Sequence, residues 1–471
     1  VTTQTIGATR IGARTWAALV VLLAGGFLPP LDFFIVNVAL SSIQQNLGAS
    51  PAEVQLVIST YATAYAVFLI TGGRLGDLYG RKRCFLLGLA AFTVASLGCG
   101  LAASPSMLLV SRFVQGASAA VIQPQVLGSI RALFPDERAL ARAMSAYAIM
   151  MGMAGAIGQF SGGALIQLDI YHLGWRAVFL LPIPVCLLIL LGTSLIPETV
   201  RGGAVKLDLL GAALITFALA AIIVPVSKGR EAGWPPWVFV ALASVPLVVW
   251  AFLAWETRLR RIGGMPLVDL ALFRIPSFRR GVLVAMLFFF TTSFYLLFGL
   301  YQQEGRGVEP LHTGLAIVPY GIGLFVGPLV TAPFVKLRPR LLAIGMAVQV
   351  TFYFVVGVLV ADGVGGPVLA GAVFLAGLGQ GIAFPRLFAN VLGDVPPAQA
   401  GVAAGITNSA LQVGGGVSVA AIGSLFFTVL GGATGERAYA HAFFIAQIAV
   451  SLGLLAAMLI AMAPTRRPVA R

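Results

Sequence analysis

The stretch Gly72–Arg83 reads GGRLGDLYGRKR and lies between two long apolar runs. It packs four basic residues, one acid and four glycines into twelve positions of a chain that is only 10% charged overall. Charge at that density cannot sit in hydrocarbon, so the stretch reads as a short polar hairpin joining two membrane helices. Its glycines permit a tight turn and close helix approach. Arg81, Lys82 and Arg83 mark its side of the membrane as cytoplasmic.

The composition around it agrees. Hydrophobic residues make up 59% of the 471, and the mean hydropathy of +0.97 excludes a soluble globular chain of this size. Apolar runs of about 20 residues, each long enough to cross a bilayer, recur along the whole length. They predict an all-α polytopic membrane protein of fourteen helices. The first six run at roughly 16–40, 53–72, 84–103, 106–131, 140–165 and 176–196, and two more at roughly 207–226 and 236–256. The last six run at roughly 280–302, 312–335, 340–361, 367–391, 400–429 and 438–462. With both termini in the cytoplasm, 23 of the 30 basic residues fall on the cytoplasmic side and five on the other. That split sets the orientation, and it makes the net charge of +14 a matter of loops rather than of nucleic-acid binding. Few of the basic residues are lysine, and Ala and Gly abound, which points to a GC-rich bacterial genome and to a cell membrane. Cys84, Cys99 and Cys186 lie in or beside apolar runs without paired spacing, as small core residues do. The first apolar run has no convincing cleavage site and carries an acid, so it reads as a retained helix rather than a signal peptide.

The chain also repeats. Val114-Gln115-Gly116 in helix 4 recurs as Gly379-Gln380-Gly381 in helix 12, and the same offset carries helices 1 and 5 close to helices 9 and 13. The expected organisation is a six-helix bundle over 1–200, a two-helix linker hairpin over 201–275 and a second six-helix bundle over 276–471. Parallel repeats of this kind place a substrate site between the halves near the midplane. Helices 7 and 8 fall outside the repeat. Glu256 is expected to snorkel at the cytoplasmic end of a peripheral hairpin.

An ionisable residue within a membrane costs roughly 2.5–3.5 kcal/mol or more, so it needs a partner or a task. Asp32 in LDFFIVNVAL of helix 1 and Arg112 in SRFVQG of helix 4 stand out. Asp32 lies eight residues before Leu40, about 12 Å, and Arg112 six residues after Ser106, about 9 Å, so both fall at one depth and can pair. A carboxylate so placed is drawn toward protonation by desolvation and toward ionisation by the guanidinium, the balance a proton-coupled carrier requires. A permanent ion pair that fixes helix packing is the alternative. Uncharged candidates for a substrate cavity are Phe33, Phe34, Asn37, Tyr61, Gln115, Gln123, Phe294, Tyr295, Asn408 and Gln412. No phosphate-binding G-x-x-x-x-G-K-[ST] loop occurs, and His172, His312 and His441 form no catalytic or metal-binding motif, so neither ATP hydrolysis, an enzyme, a cofactor nor a metal is expected.

The pattern carried by Gly73, Leu75, Gly76, Asp77, Gly80, Arg81, Lys82 and Arg83 resembles the signature loop between the second and third helices of the major facilitator superfamily. LDFFIVNVAL and RFVQGASAAVIQP (Arg112, Gln115, Gly116, Pro124) resemble motifs of its fourteen-helix drug:proton antiporter branch. GWRAVF at 174–179 and PYGIGLFVGPLVTAP at 319–333 do so as well. GMAGAIGQFSGGAL, with Gly152, Gly155, Gly158, Gly162 and Gly163, resembles the antiporter motif of that branch, with Gln159 where proline is usual. Gln159 could hydrogen-bond substrate or a neighbouring helix. The resemblance implies two six-helix bundles plus two extra helices, and a monomer in a lipid bilayer exporting small amphiphilic compounds in exchange for protons. It also implies that Asp77, with Gly73, Gly80 and Arg81, forms a conformational latch onto the N-terminus of helix 13; a local salt bridge from Asp77 to Arg81 or Arg83 is the alternative. A carrier of the same fold for lipids or one metabolite, without proton exchange, is the nearest rival reading.

Overall fold

A computed structural model describes residues 12–134, 136–198, 208–264, 266–331, 340–396 and 399–463. Among these, fourteen helices are long and apolar enough to span a membrane. They are α1 (Ala13–Leu47), α2 (Pro51–Tyr79), α3 (Arg81–Gly100), α4 (Pro105–Leu133), α5 (Glu137–Leu168), α6 (Arg176–Leu195) and α7 (Leu209–Lys228). The rest are α8 (Pro236–Arg261), α9 (Pro276–Gly305), α10 (Pro310–Thr331), α11 (Leu341–Ala361), α12 (Gly366–Leu392), α13 (Ala400–Leu430) and α14 (Glu436–Met462). The boundary expected at 200–201 lies outside the described residues, and α9 opens at Pro276.

The repeat is legible in the packing. The pairs α2·α4, α3·α4, α3·α6 and α1·α5 recur as α10·α12, α11·α12, α11·α14 and α9·α13. The two main contacts between the halves, α2·α13 and α5·α10, exchange under the same relation, and α1 meets α9 between them. Small residues make these pairs possible, because backbones can close only where no Cβ intervenes. Gly116 lies against the Tyr61 carbonyl and Gly72 against that of Ala120 in the first half; Gly381 lies against Leu324 and Gly377 against Tyr320 in the second.

The quoted stretch is not a hairpin. Helix α2 runs through it to Tyr79, and Gly80 alone separates it from α3, with a positive φ of 93° that favours glycine. Its helical part stays in place because Gly76 packs on the Gln125 side chain, whose amide donates to Gly72 O at 2.7 Å.

The halves meet on the side remote from this basic face. Gln303 Nε2 donates to Val38 O (3.0 Å), Gln45 Nε2 to Glu304 Oε1 (3.0 Å) and Gln167 Nε2 to Glu309 Oε2 (2.7 Å). Two glycines set the spacing there: Gly163 sits over Pro310 and Gly314 over the Gln159 backbone.

Helices α7 and α8 pack together and lie over the seam where α2 meets α13. At the face remote from the basic loops the hairpin is strapped to α2, Lys228 to Glu53 (3.8 Å) and Glu231 Oε1 to the Ala52 amide (2.7 Å). Glu256 corrects the expectation: it does not snorkel but is buried, 1% exposed, because Asp208 and the chain at 267–268 close over it.

A methyl added at Gly163 would stand 2.5 Å from Pro310 O and 2.7 Å from Leu311 Cα, backbone that cannot turn aside. Overpacking of this kind costs about 1–3 kcal/mol, here charged only to the conformation in which α5 and α10 touch. Gly163→Ala should therefore open that face. Labelling of an Asn37→Cys reporter by an impermeant maleimide, with the natural cysteines replaced by alanine, should rise about tenfold. An unchanged rate would mean that α5 and α10 do not gate that side.

Candidate functional site

Asp32 and Arg112 are brought together as one-to-one partners, both with no exposed surface. Arg112 Nη1 donates to Asp32 Oδ2 at 2.5 Å and to Gln115 Oε1 at 2.7 Å. Gln115 Nε2 completes the ring by donating to Asp32 Oδ1 and to Ser96 Oγ, each at 2.8 Å. Arg112 Nε donates to the Val57 carbonyl at 3.1 Å. The guanidinium carbon lies 4.3 Å from the Tyr61 ring centroid and 5.6 Å from that of Phe179, in the range of cation–π attraction. Residues of α1, α2, α3, α4 and α6 thus surround one ion pair.

The chain builds this pocket for local reasons. Pro29 and Pro30 remove two amide donors from α1 one turn before Asp32. The Tyr61 hydroxyl caps the same turn by donating to Pro29 O at 3.0 Å. Gln115 and Gly116 are adjacent because the glycine lets α4 approach α2 closely enough for Arg112 to reach Val57. Helix α1 continues seven residues beyond Leu40, so Asp32 sits near its middle. Residues that sequence reasoning passed over are Ser96 and the Val57 carbonyl. Ser96 is a common residue in an apolar run, and a backbone carbonyl has no signature in sequence.

The second half repeats the position without the charge. Gln380 Oε1 accepts from the Tyr320 hydroxyl and from Gln349 Nε2 (3.3 Å), and Tyr353 donates to the Tyr320 oxygen at 2.8 Å. Phe294 stacks on Tyr320 (5.8 Å) and Phe298 (5.2 Å), within this aromatic core of the second half. Burial of aromatic area put it there; its position in helix 9 alone could not show which face it takes.

The remaining candidates separate into two groups. Gln115 and Tyr61 belong to the ion-pair network, and Phe33 packs on Tyr61 at 6.0 Å. Closer to the junction of the halves, Phe34 meets Tyr295 at 5.0 Å, and Asn408 is hydrogen-bonded to Tyr65. Gln123 donates to the Tyr147 hydroxyl at 2.6 Å. Asn37 Oδ1, Gln123 Oε1, Gln412 Oε1 and both amide atoms of Gln159 are buried without a partner. Asp77 lies beside Arg81 at 3.4 Å with its side chain 54% exposed. Arg81 also donates to the Gly128 carbonyl, and Gly73 faces Pro124.

A family model described as the Major Facilitator Superfamily matches residues 22–419. The chain belongs to the Major Facilitator Superfamily. It is 37% identical to a probable actinorhodin transporter of Streptomyces coelicolor, over 89% of this chain and 74% of that one. It is 34% identical to the puromycin resistance protein of Streptomyces alboniger, over 89% and 83%. A tetracenomycin C resistance and export protein of Streptomyces glaucescens is 32% identical, over 90% and 78%. Among solved structures, a proton-dependent oligopeptide transporter superposes with a TM-score of 0.67 at 15% identity, over 95% of this chain and 98% of that one. A bacterial homologue of the transporter Spinster in an inward-facing, unoccupied conformation superposes at 0.66 and 17%, over 95% and 96%. These two structures share the fold. Major facilitator proteins are carriers, not enzymes, and this chain is a polytopic membrane transporter of small molecules.

Removing one partner from a buried ion pair typically costs about 3–5 kcal/mol, because the other charge is left unmatched. Arg112→Met should lose stability of that order in denaturant unfolding from detergent. Asp32→Asn in the same chain should restore at least half of it. If the double variant is no more stable than Arg112→Met, the pair is not what holds α1 to α4.

Proposed function

We propose that this transporter exports hydrophobic or cationic-amphiphilic antibiotics from the cytoplasm of a bacterium in exchange for protons, by rocking its two halves. The observation that carries the reading is the Asp32–Arg112–Gln115 network opposite an uncharged tyrosine–glutamine network in the repeat-related place. The first half offers a carboxylate at this place, and the repeat-related residues described in the second half do not. The roles for which the similar proteins are named, actinorhodin transport, puromycin resistance and tetracenomycin export, support the substrate class. In this reading the basic face, with Arg81, Arg131 and Arg258, is the cytoplasmic one, and a monomer in the cell membrane is the working unit.

In this mechanism Asp32 alternates between two states. As a carboxylate it is matched by Arg112; as a carboxylic acid it frees the guanidinium, whose Nη2 already lacks a partner. Exchange between these states changes what α1 and α4 offer to the space between the halves, where Phe34, Tyr295, Asn37 and Gln412 take the substrate. The buried amide of Gln159, lacking partners, supplies a polar contact to it. A membrane potential contributes roughly 2.3 kcal/mol per charge per 100 mV, so one proton supports a gradient of about fiftyfold per 100 mV.

Proteoliposomes with an imposed pH difference and puromycin or tetracenomycin C as substrate test this. Wild type should concentrate substrate, and Asp32→Asn should bind it yet fail to accumulate it. Accumulation by Asp32→Asn driven by pH alone would place coupling elsewhere. Substrate movement unaffected by the gradient in wild type would favour the uncoupled carrier of lipids or a single metabolite, a reading that Gln159 in place of proline keeps in view.

Asp77, held beside Arg81 while the halves are joined at the opposite face, becomes a latch when the cytoplasmic ends close onto α13. A carboxylate at a helix N-terminus contributes about 0.3–1 kcal/mol, a strength suited to a contact that must also break. Asp77→Asn should slow turnover several-fold while leaving the equilibrium affinity for substrate nearly unchanged. A large loss of affinity at preserved turnover would contradict the latch.

A further inference from the structure

Three consecutive residues of the segment entering the second half are held by three different elements. The Pro266 carbonyl accepts from Arg74 of α2. The Leu267 amide donates to Asp208 Oδ2, at the start of α7, at 3.4 Å. The Val268 amide donates to Glu256 Oε2, in the last turns of α8, at 2.8 Å. Asp208 is 4% exposed and Glu256 1%.

The two carboxyl groups are also in contact with each other. Asp208 Oδ2 and Glu256 Oε1 converge on Gly211, where a Cβ would strike both. Asp208 Oδ1 accepts from the Gly211 amide and from Trp255 Nε1, each at 2.8 Å. Glu256 Oε1 has no donor at all. Two carboxylate oxygens cannot satisfy one another, whereas a carboxylic acid and a carboxylate can, by sharing one proton. Burial works against the charge on Asp208, and the hydrogen bonds from Glu256, Trp255, Gly211 and Leu267 outweigh it, holding Asp208 below the usual carboxylate range. Asp208 is therefore the ionised member and Glu256 carries the proton.

The charge count agrees. Arg74, the cation facing the pair from α2, interacts with both acids. With one proton on the pair the cluster is neutral; without it, a net negative charge is buried. Arg260 is matched by Asp269 at 3.0 Å. Arg261 and Arg274 line a pocket of about 290 Å³ that reaches Glu256 from the basic face. Helix α13, which packs on α7, carries no charged residue.

We propose that Asp208 and Glu256 form a proton-binding site at the basic face, outside the transport pathway, whose occupancy clamps the 266–268 segment onto α2. On release, the Glu256 O–H bond breaks, the proton leaves through the Arg261–Arg274 pocket, and two like charges remain in contact. Their repulsion separates α7 from α8 and withdraws the carboxylate oxygens from the Leu267 and Val268 amides. The clamp is thus closed at low pH and opens as pH rises through the proton's release. Arg74 is three residues from Asp77, so the state of the clamp reaches the face at which the halves must close. That the proton comes from the cytoplasm rests on the orientation proposed above; the clamp itself does not.

Hydrogen–deuterium exchange on the full chain in nanodiscs, without substrate or gradient, reads the clamp directly. With exchange corrected for its intrinsic pH dependence, protection at Leu267 and Val268 should fall about tenfold per pH unit above the transition, sought between about pH 6 and about pH 9. Glu256→Gln supplies a neutral donor to Asp208 and should keep the protection at every pH. Asp208→Asn removes the like charge, keeps the cap to Gly211, and should also remove the pH dependence; it stands in if the first variant does not fold. Constant protection in wild type, or the wild-type pH dependence in both variants, would overturn the site. Asp32→Asn should leave these two amides unchanged, so failure of the export mechanism and failure of the clamp are read separately.

Discussion

A carboxylate and a guanidinium with no exposed surface must be satisfied by the protein around them, since the bilayer offers nothing. That requirement organises the first half. Asp32 and Arg112 lie on helices α1 and α4, and their spare bonding capacity draws in Gln115, Ser96 and the Val57 carbonyl. Four helices are thereby fixed in register at one depth. The glycine contact of α4 on α2 is what allows it, because a methyl at Gly116 would push the guanidinium off its carbonyl. The same ion pair is a poor source of net stability, given the desolvation of two charges. Its retention in an apolar core fits a group that must change state.

The second half keeps the geometry and drops the charge. Gly377 and Gly381 bring α12 onto α10 as Gly116 and Gly72 bring α4 and α2 together, yet Gln380 finds Tyr320 and Gln349, with Tyr353 behind Tyr320, in place of an acid and a base. A symmetric scaffold thus carries an asymmetric chemistry. The contacts between halves, α2·α13 and α5·α10, respect the symmetry, while the buried ion pair belongs to the first half alone.

Much of this was legible in the sequence, because a membrane makes hydropathy and charge placement into strong constraints. The fourteen spans follow from apolar runs, and the meeting of Asp32 with Arg112 follows from the cost of leaving either alone. Other features lay beyond such rules. The extent of α1 to Leu47 and of α2 to Tyr79 depends on helix continuing past the apolar run, which hydropathy does not measure. Phe294 and Tyr295 are neighbours in sequence and equally aromatic, yet one fills the second half and the other meets Phe34 across the junction. Glu256 looked free to reach water because its partner, Asp208, stands at the edge of a different apolar run, just before α7. Their meeting depends on how α7 and α8 pack, and on the chain doubling back at 266–268.

The hairpin over the α2–α13 seam has a consequence for how a lipophilic solute reaches the protein. Twofold-related bundles would present the bilayer with two equal clefts. Here one cleft lies behind α7 and α8, tied to α2 at both ends by Lys228, Glu231 and Arg74. The other, between α5 and α10, leaves Ile149, Met153, Ile157, Phe160, Leu315 and Ile322 exposed. A solute arriving at the apolar perimeter therefore meets a sided molecule: among the described residues one flank is covered by the hairpin and the other is not.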